Sequence, residues 1–301
     1  MLRLLRRLIQ LGVMALVAAE LAGLAQASHP FFDALGHFRL HLAVLLLLGL
    51  LALVILRSWR LSGLAGLAVV AGLVNLGPVI LSQGPAGNGR VLTLLQFNTL
   101  FRNPTPLAIV DQVHALRPDV ITLQEVSPNT SAILRSLQAD YSQISTCHYG
   151  TVGDAVVLSR WPAVSQGCAE TRGLAWMVLD IEGRRVTVAS LHLHWPYPYR
   201  QYSQIAEIEP VLQTLPQPVV LAGDFNAAPW SEAASRIAEA VSSRVAGGLR
   251  LSFRLSPFGT GPWPVLPLDH VLLPEGATAE VTLLPGAGSD HLPLLARIWL
   301  P

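Results

Sequence analysis

The chain has 301 residues, 51% of them hydrophobic and only 13% charged, too apolar for an ordinary soluble domain and long enough for one large domain plus a further part. Every one of the 20 basic residues is arginine, and six of these with two of the 19 acids precede residue 83. The 14 Arg against 17 Asp plus Glu that remain exclude a long basic footprint for duplex DNA.

Residues 1–82 hold three apolar runs, Leu8–Ala27, Leu40–Leu56 and Leu61–Leu81, each near the roughly 20 residues that cross a bilayer as a helix. The first carries Glu20, an acid that must face a partner helix rather than lipid. Its Arg-rich start and "AQA" (Ala25–Ala27) also resemble a cleaved signal peptide. Arg3, Arg6 and Arg7 precede the first run, and Arg57 and Arg60 separate the second and third. The positive-inside rule therefore puts the N-terminus in the cytoplasm and everything after residue 82 outside; the expected location is a bacterial inner membrane, multi-pass, with the remainder periplasmic or extracellular. Cys147 and Cys168 lie in that outer part, where they can pair or stay as buried free thiols.

After a Gly/Pro linker at 83–90, strand-like and helix-like stretches alternate. "VLTLLQF" (91–97) reads as a strand, "PLAIVDQVHALRPD" as a helix stopped by Pro118, and "DVITLQ" (119–124) as a strand delivering Glu125. "SPNTSAILRSLQ" reads as a helix with Ser127 and Pro128 at its start. Strands are expected at 154–159, 174–181, 184–195, 218–224, 268–273, 279–284 and 292–299, with helices in "YRQYSQIAEIEPVLQTL", bent at Pro210, and in "SEAASRIAEAV", capped by Ser231. About nine strands and four helices, mixed in order, give an α/β unit with more than one sheet. The expected division is a membrane region at 1–82, the linker at 83–90 and this unit at 91–301.

Several strands end on a polar residue that a core would not select: Asn98, Glu125, His192, Asp224 with Asn226, Asp269, and Asp290 with His291. Each has a plain reading as a turn or cap residue. Together, beyond the strand ends where α/β sheets gather their ligands, they offer carboxylates, amides and imidazoles suited to a hard divalent cation and an acid/base pair.

The stretches "LLQFNT", "PDVITLQEV", "VVLSRWP", "VTVASLHL", "VVLAGDFNAAP", "PLDHVLL" and "GSDHLPLLARI" occur in that order over residues 91–299. In this the sequence resembles the endonuclease/exonuclease/phosphatase superfamily of metal-dependent phosphoesterases. The resemblance implies a DNase I-like α/β four-layer sandwich, two mixed β-sheets flanked by helices, preceded here by about three transmembrane helices. It implies Mg²⁺, with Mn²⁺ as a substitute, held by Glu125 with Asn98 and Asp290. Asp224 would orient or deprotonate the attacking water or hold a second metal, and Asn226 would bond phosphoryl oxygens. His291 would contact the phosphate or act as base, oriented by Asp269, and His192 would contact the phosphate or assist the leaving group. His194 is then a substrate contact or a rim residue, and Arg160 a basic residue near the site or a surface ion-pair partner. Asp154 stands where relatives commonly carry an amide.

The expected activity is hydrolysis of a phosphodiester or phosphomonoester outside the cytoplasm, on a lipid head group, a nucleic acid or a small organic phosphate. The alternatives are a non-specific endonuclease or exonuclease acting on DNA and an inactive membrane scaffold of the same fold. The membrane is the expected partner through the N-terminal helices, and the sequence does not fix an oligomeric state.

Overall fold

The computed structural model describes residues 1–82, 87, 91–170, 172–256, 261 and 263–301. The expected linker, Gly87 apart, lies outside the described residues. The N-terminal part is four helices: α1 (Leu2–Leu24), α2 (Pro30–Gly36), α3 (Arg39–Ile55) and α4 (Trp59–Leu81). By length and composition, α1 and α4 are long and apolar enough to cross a membrane; α3, 17 residues long, reaches that only together with α2, from which it bends by 62°. Val13, Val17, Leu46, Leu53 and Ala68 pack between the helices. Leu48, Leu51, Ile55, Leu67 and Val74 point outward, so the bundle is apolar inside and out, as helices surrounded by lipid are. Glu20 is buried and accepts from Arg39 Nε at 3.3 Å, while Arg39 Nη2 donates to Gly23 O at 2.8 Å. The partner that a buried acid requires is therefore on a neighbouring helix.

The remainder builds two six-stranded sheets. In chain order the elements are β1 (Val91–Asn98), α5 (Leu107–Leu116), β2 (Val120–Val126), α6 (Ala132–Leu137), β3 (Gln143–Cys147), β4 (Asp154–Ser159), β5 (Ala163–Ala169), β6 (Leu174–Ile181) and β7 (Arg184–His192). Then follow α7 (Gln201–Leu212), β8 (Val219–Asp224), α8 (Glu232–Ala240), β9 (Ser243–Val245), β10 (Phe253–Leu255), β11 (Trp263–Leu266), β12 (Asp269–Pro274), β13 (Thr278–Leu283) and β14 (Leu294–Trp299). One sheet has the order β13-β14-β1-β2-β4-β3, the other β5-β6-β7-β8-β12-β9, and β10 and β11 form a separate ribbon. Each sheet has one parallel pair at its centre, β1 with β2 and β7 with β8, and is otherwise antiparallel.

Alternation along each strand divides the core. Leu94, Val120, Val188, Val220 and Val271 face the opposite sheet. Leu95, Ile121 and Leu123 face α5 and α6, and Leu191, Val219 and Leu221 face α7 and α8. The result is helix, sheet, sheet, helix: the four-layer sandwich expected. Cys147 on β3 and Cys168 on β5 form a disulfide with a Cα separation of 5.2 Å, tying together the edges of the two sheets.

Two details differ from expectation. Among the described residues there are fourteen strands; the additional ones, β3, β5, β9, β10 and β11, are short or largely exposed and lack the double-faced apolar run that marks the others. The helix expected at Ser127 begins at Ala132, because Ser127 to Thr130 close a turn in which Ser127 N donates to Thr130 Oγ1 at 2.8 Å. The helix expected across Pro210 is α7, with Pro210 inside it. Ser231 caps α8 as expected, accepting from Ala234 N at 3.1 Å.

The helical part is bolted to the second sheet's flank. Asp33 of α2 is buried and accepts from Glu232 N (2.8 Å) and Ala233 N (3.1 Å) at the start of α8 and from Tyr202 Oη (2.9 Å) of α7. Trp230 Nε1 donates to Gly36 O at 2.7 Å, and its ring packs with Ala228 against Ala43 and Leu76 of α3 and α4. Gly248 N donates to Val79 O at 2.8 Å.

Candidate active site

On β1 and β2 of one sheet and β7, β8 and β12 of the other, the face turned toward the opposite sheet is apolar at one end and polar at the other. The progressions are Leu92-Leu94-Gln96-Asn98, Val120-Thr122-Gln124, Val186-Val188-Ser190-His192 and Val220-Ala222-Asp224, with Asp269 opening β12 ahead of Val271 and Leu273. All are buried, and a buried polar group is stabilising only when paired. Parallel strands end and antiparallel ones begin at the same edge, so the polar ends converge. The register aligns His192 with Asp224 and Asp224 with Asp269 across three neighbouring strands.

Asp224 is the hub. Its Oδ2 accepts from Asn98 Nδ2 at 2.9 Å and lies 3.6 Å from Nε2 of both His192 and His291; its Oδ1 accepts from Asn226 N at 2.9 Å. Asn98 also donates to Glu125 Oε1 at 3.2 Å, and Phe101 N donates to Glu125 Oε2 at 2.9 Å. His291 Nδ1 lies 2.7 Å from Asp269 Oδ2, and Gln96 Nε2 donates to the other Asp269 oxygen, also at 2.7 Å. Glu125, at a break in the β2–β4 register, has φ +60°, and Asn226 has φ +47°. Left-handed backbone costs a residue such as glutamate on the order of 1–2 kcal/mol, so the surroundings hold Glu125 where local preference would not, whereas asparagine adopts this region readily. Gly223 has to be glycine, since a Cβ there would stand 1.8 Å from Leu191 O.

Burial and charge set the protonation states. Burial pushes the Asp224 carboxyl up to about 6, against the opposing pull of His291, and burial also raises Glu125. Burial penalises the His291 imidazolium, yet Asp269 and Asp224 outweigh it and push the imidazole up to about 10. Asp269 is destabilised by burial but held below the usual carboxylate range by His291 and by hydrogen bonds, including those from Ser252 and Gln96. His192, dominated by burial, is held below its ordinary value. An imidazolium–carboxylate pair thus sits beside two further carboxylates whose charge it does not cancel.

That surplus suits a cation. Oxygen donors from Glu125 and Asp224 match a hard divalent metal, and Asn226 Oδ1 is buried with no partner. Ligand atoms of Asp224, Asp269 and His291 lie within 4.8 Å of one another. In that trio Asp269 and His291 are already committed to each other at 2.7 Å, which leaves Glu125 and Asp224 as the freer donors.

The remaining sequence-predicted positions separate clearly. Asp290 lies beside the cluster: it is half-buried, and its negative charge raises both Glu125 and His291. His194 is a rim residue with its ring 5.2 Å from that of Tyr149, which in turn lies 5.2 Å from the His192 ring. Asp154 pairs with exposed His148 at 3.0 Å. Arg160 follows Ser159, which pairs with Val120 at the far end of β2, so it is exposed and remote from Glu125. Sequence reasoning missed Gln96, Gln124, Ser190 and Ser252. Gln124 accepts from Gln96 and donates to Ser190 Oγ, both at 2.9 Å, and Ser252 Oγ accepts from Asp269 N at 3.1 Å. Gln96 and Gln124 were detectable as lone amides in otherwise apolar strands; Ser252, in a loop, gives no such signal.

The architecture has known counterparts. An endonuclease/exonuclease/phosphatase family protein from Leptotrichia buccalis superposes with a TM-score of 0.56 at 16% identity, covering 69% of this chain and 100% of that one. TDP2 from D. rerio, crystallised with a single-strand DNA product, gives 0.55 at 14% identity, with 70% and 100% coverage. A beta toxin variant from Staphylococcus aureus, crystallised with bound magnesium ions, gives 0.54 at 13% identity, with 69% and 99% coverage. At these identities the likeness concerns the fold alone. No curated protein matches the chain by sequence. The sequence itself matches the Endonuclease/Exonuclease/phosphatase family over residues 95–291, well over half its length and from β1 through His291, and the chain belongs to that family.

Proposed function

We propose that this protein is a membrane-anchored, divalent-metal-dependent phosphoesterase that hydrolyses a phosphodiester or phosphomonoester outside the cytoplasm, with residues 1–82 as anchor and 91–301 as the catalytic unit. The observation that carries the reading is the hydrogen-bonded cluster of Asn98, Glu125, Asp224, Asp269 and His291 at one end of the sandwich. Mg²⁺ or Mn²⁺, held by Glu125 with Asn98 and Asp290 alongside, would supply Lewis-acid charge neutralisation for an anionic ester.

The side chains divide the remaining work. Asp224, with its carboxyl raised to about 6, orients the attacking water and takes its proton, close to the range in which a general base works best at neutral pH. As the water oxygen bonds to phosphorus, the bond to the leaving oxygen breaks. His291, kept protonated by Asp269, donates toward the phosphoryl oxygens where negative charge accumulates. Asn226 fixes Asp224 through its backbone N–H and Nδ2 and lies beside the same oxygens. His192, on the other side of Asp224, contacts the phosphate and assists departure of the leaving group.

The test uses the full chain in detergent with bis-p-nitrophenyl phosphate. Mg²⁺ or Mn²⁺ should support turnover and EDTA abolish it, and Asp224→Asn should lower kcat by about 10³-fold or more. Full activity in that variant would refute the mechanism. For orientation, an alkaline phosphatase fusion at residue 86 should be active in a bacterial host; an inactive, correctly inserted fusion would reverse the outside placement.

A further inference from the structure

The strand-end loop that carries Asp224 and Asn226 continues directly into the bolt that fastens the sandwich to the helices. Trp230 follows Asn226 by four positions, a span of at most about 14 Å. Trp230 is wedged against Ala43 and Leu76, about one helical turn inside the ends of α3 and α4. This is the depth at which tryptophan favours the membrane–water boundary. A string of aromatic rings covers the same interval along the rim. The Phe253 ring lies 5.1 Å from His291, and Trp195 lies 5.7 Å from Phe253. Two residues on, Tyr197 lies 5.8 Å from both His29, the N-cap of α2, and Phe31 in its first turn. Trp195, Tyr197 and Phe31 are each a little under half exposed, at 47%, 47% and 44%, and together they form an apolar ledge that leads from the catalytic histidine to the bilayer helices.

We infer that the substrate is an amphiphile seated in the outer leaflet, whose phosphoester enters the site while its apolar chain lies along the Trp195–Tyr197–Phe31 ledge and runs back into the lipid. The inference rests on the phosphoesterase reading above and deepens it. A water-borne polyanion would find no basic track, since the part after residue 82 carries 14 Arg against 17 acids. An ester anchored in the leaflet needs only to rise within the reach of a short loop. Confinement to two dimensions also raises its local concentration at the site.

The experiment compares two esters with the same reacting group, methyl p-nitrophenyl phosphate and hexadecyl p-nitrophenyl phosphate, using the full chain in vesicles of phosphatidylethanolamine and phosphatidylglycerol with Mg²⁺. The tailed ester should be hydrolysed at least about tenfold faster at equal bulk concentration. Its rate should fall as it is diluted with inert lipid. Partition alone would give a preference too, so the decisive measurement is the rate ratio in Tyr197→Ala/Phe31→Ala, which should drop about tenfold, while Tyr197→Phe retains it. If the methyl ester is cleaved but the ratio is near one, or survives in the double variant, the inference fails and the phosphoesterase reading stands. Preferential cleavage of a single-stranded oligonucleotide would likewise overturn it. If neither ester is cleaved with Mg²⁺ or Mn²⁺, the underlying reading fails as well.

Discussion

Asp33→Ala should loosen the junction between the helices and the sandwich from a position that makes no direct contact with the candidate cluster. Asp33 is fully buried and accepts three hydrogen bonds, two of them from the first-turn amides of α8. Those amides have no intrahelical acceptor, and Ser231 serves only Ala234 N. Leaving a buried donor unsatisfied costs about 1–3 kcal/mol. Two orphaned amides and a stranded Tyr202 hydroxyl, partly relieved by water, amount to about 3 kcal/mol, or roughly a hundredfold rise in the population with this corner open. Hydrogen exchange with the protein in detergent reads this directly. The amides of Glu232 and Ala233, and the loop from Asn226 to Ser231, should lose protection by about two orders of magnitude, with α5 unchanged. Asp33→Asn keeps an acceptor but loses the charge that suits a helix N-terminus, and should fall between. Wild-type protection at Glu232 and Ala233 in Asp33→Ala would show that α8 holds itself and that the junction is passive.

Asp269→Asn removes the charge that keeps His291 protonated; kcat should fall about 10²–10⁴-fold, and the alkaline limb of the kcat/KM profile should move to lower pH. An unshifted limb would mean that His291 is held by other groups. His270 is buried, donates to Ala227 O at 2.7 Å, and is pushed down to about 4 by burial. Its folded value lies below its unfolded one near 6.5, so the stability it lends is present above pH 6.5 and is lost as the pH falls through about 4, on the order of 3 kcal/mol. Unfolding followed by denaturant titration between those values should show this slope, and His270→Gln should flatten it. Reducing Cys147–Cys168, which closes a 21-residue separation, should cost about 3 kcal/mol, seen as a lower denaturant midpoint; an unchanged midpoint would mean that the sheet edges are held by packing alone.

What was legible in the sequence follows burial. β1, β2 and β8 are covered on both faces, so "VLTLLQF", "DVITLQ" and "PVVLAGD" stand out as unbroken apolar runs. β5 reads "AVSQGCA", mostly exposed, and β10 and β11 have too few residues for any period to show. The same logic exposed Asp224 and His192, whose polarity breaks a greasy strand at its end. Ser252 was invisible because its meaning comes from β12, which lies beyond it in the chain and is brought alongside only by the fold. Arg160 looked close to the site because its motif is part of the family's series. The antiparallel run of β4 carries it to the opposite end of the sandwich.

Asp33 is the sharpest case of what a linear reading cannot reach. Within the helical part it looks like an offset to Arg39 in a connecting loop, and nothing in "HPFFDALG" refers to a helix some 199 residues later. Yet it satisfies the first turn of α8, while Gly36 and Gln26 take up the indole N–H and the carbonyl of Trp230. The stretch "GDFNAAPW" is therefore held at both ends: at Asp224 by Asn98 and the imidazoles, and at Trp230 by the helices. The segment is only seven residues from end to end, with Asn226 near its middle, so a displacement at Trp230 has a short path to Asp224. The helical part is thereby tied to the candidate site through this one short loop, and substitutions there should reach the site by this route first.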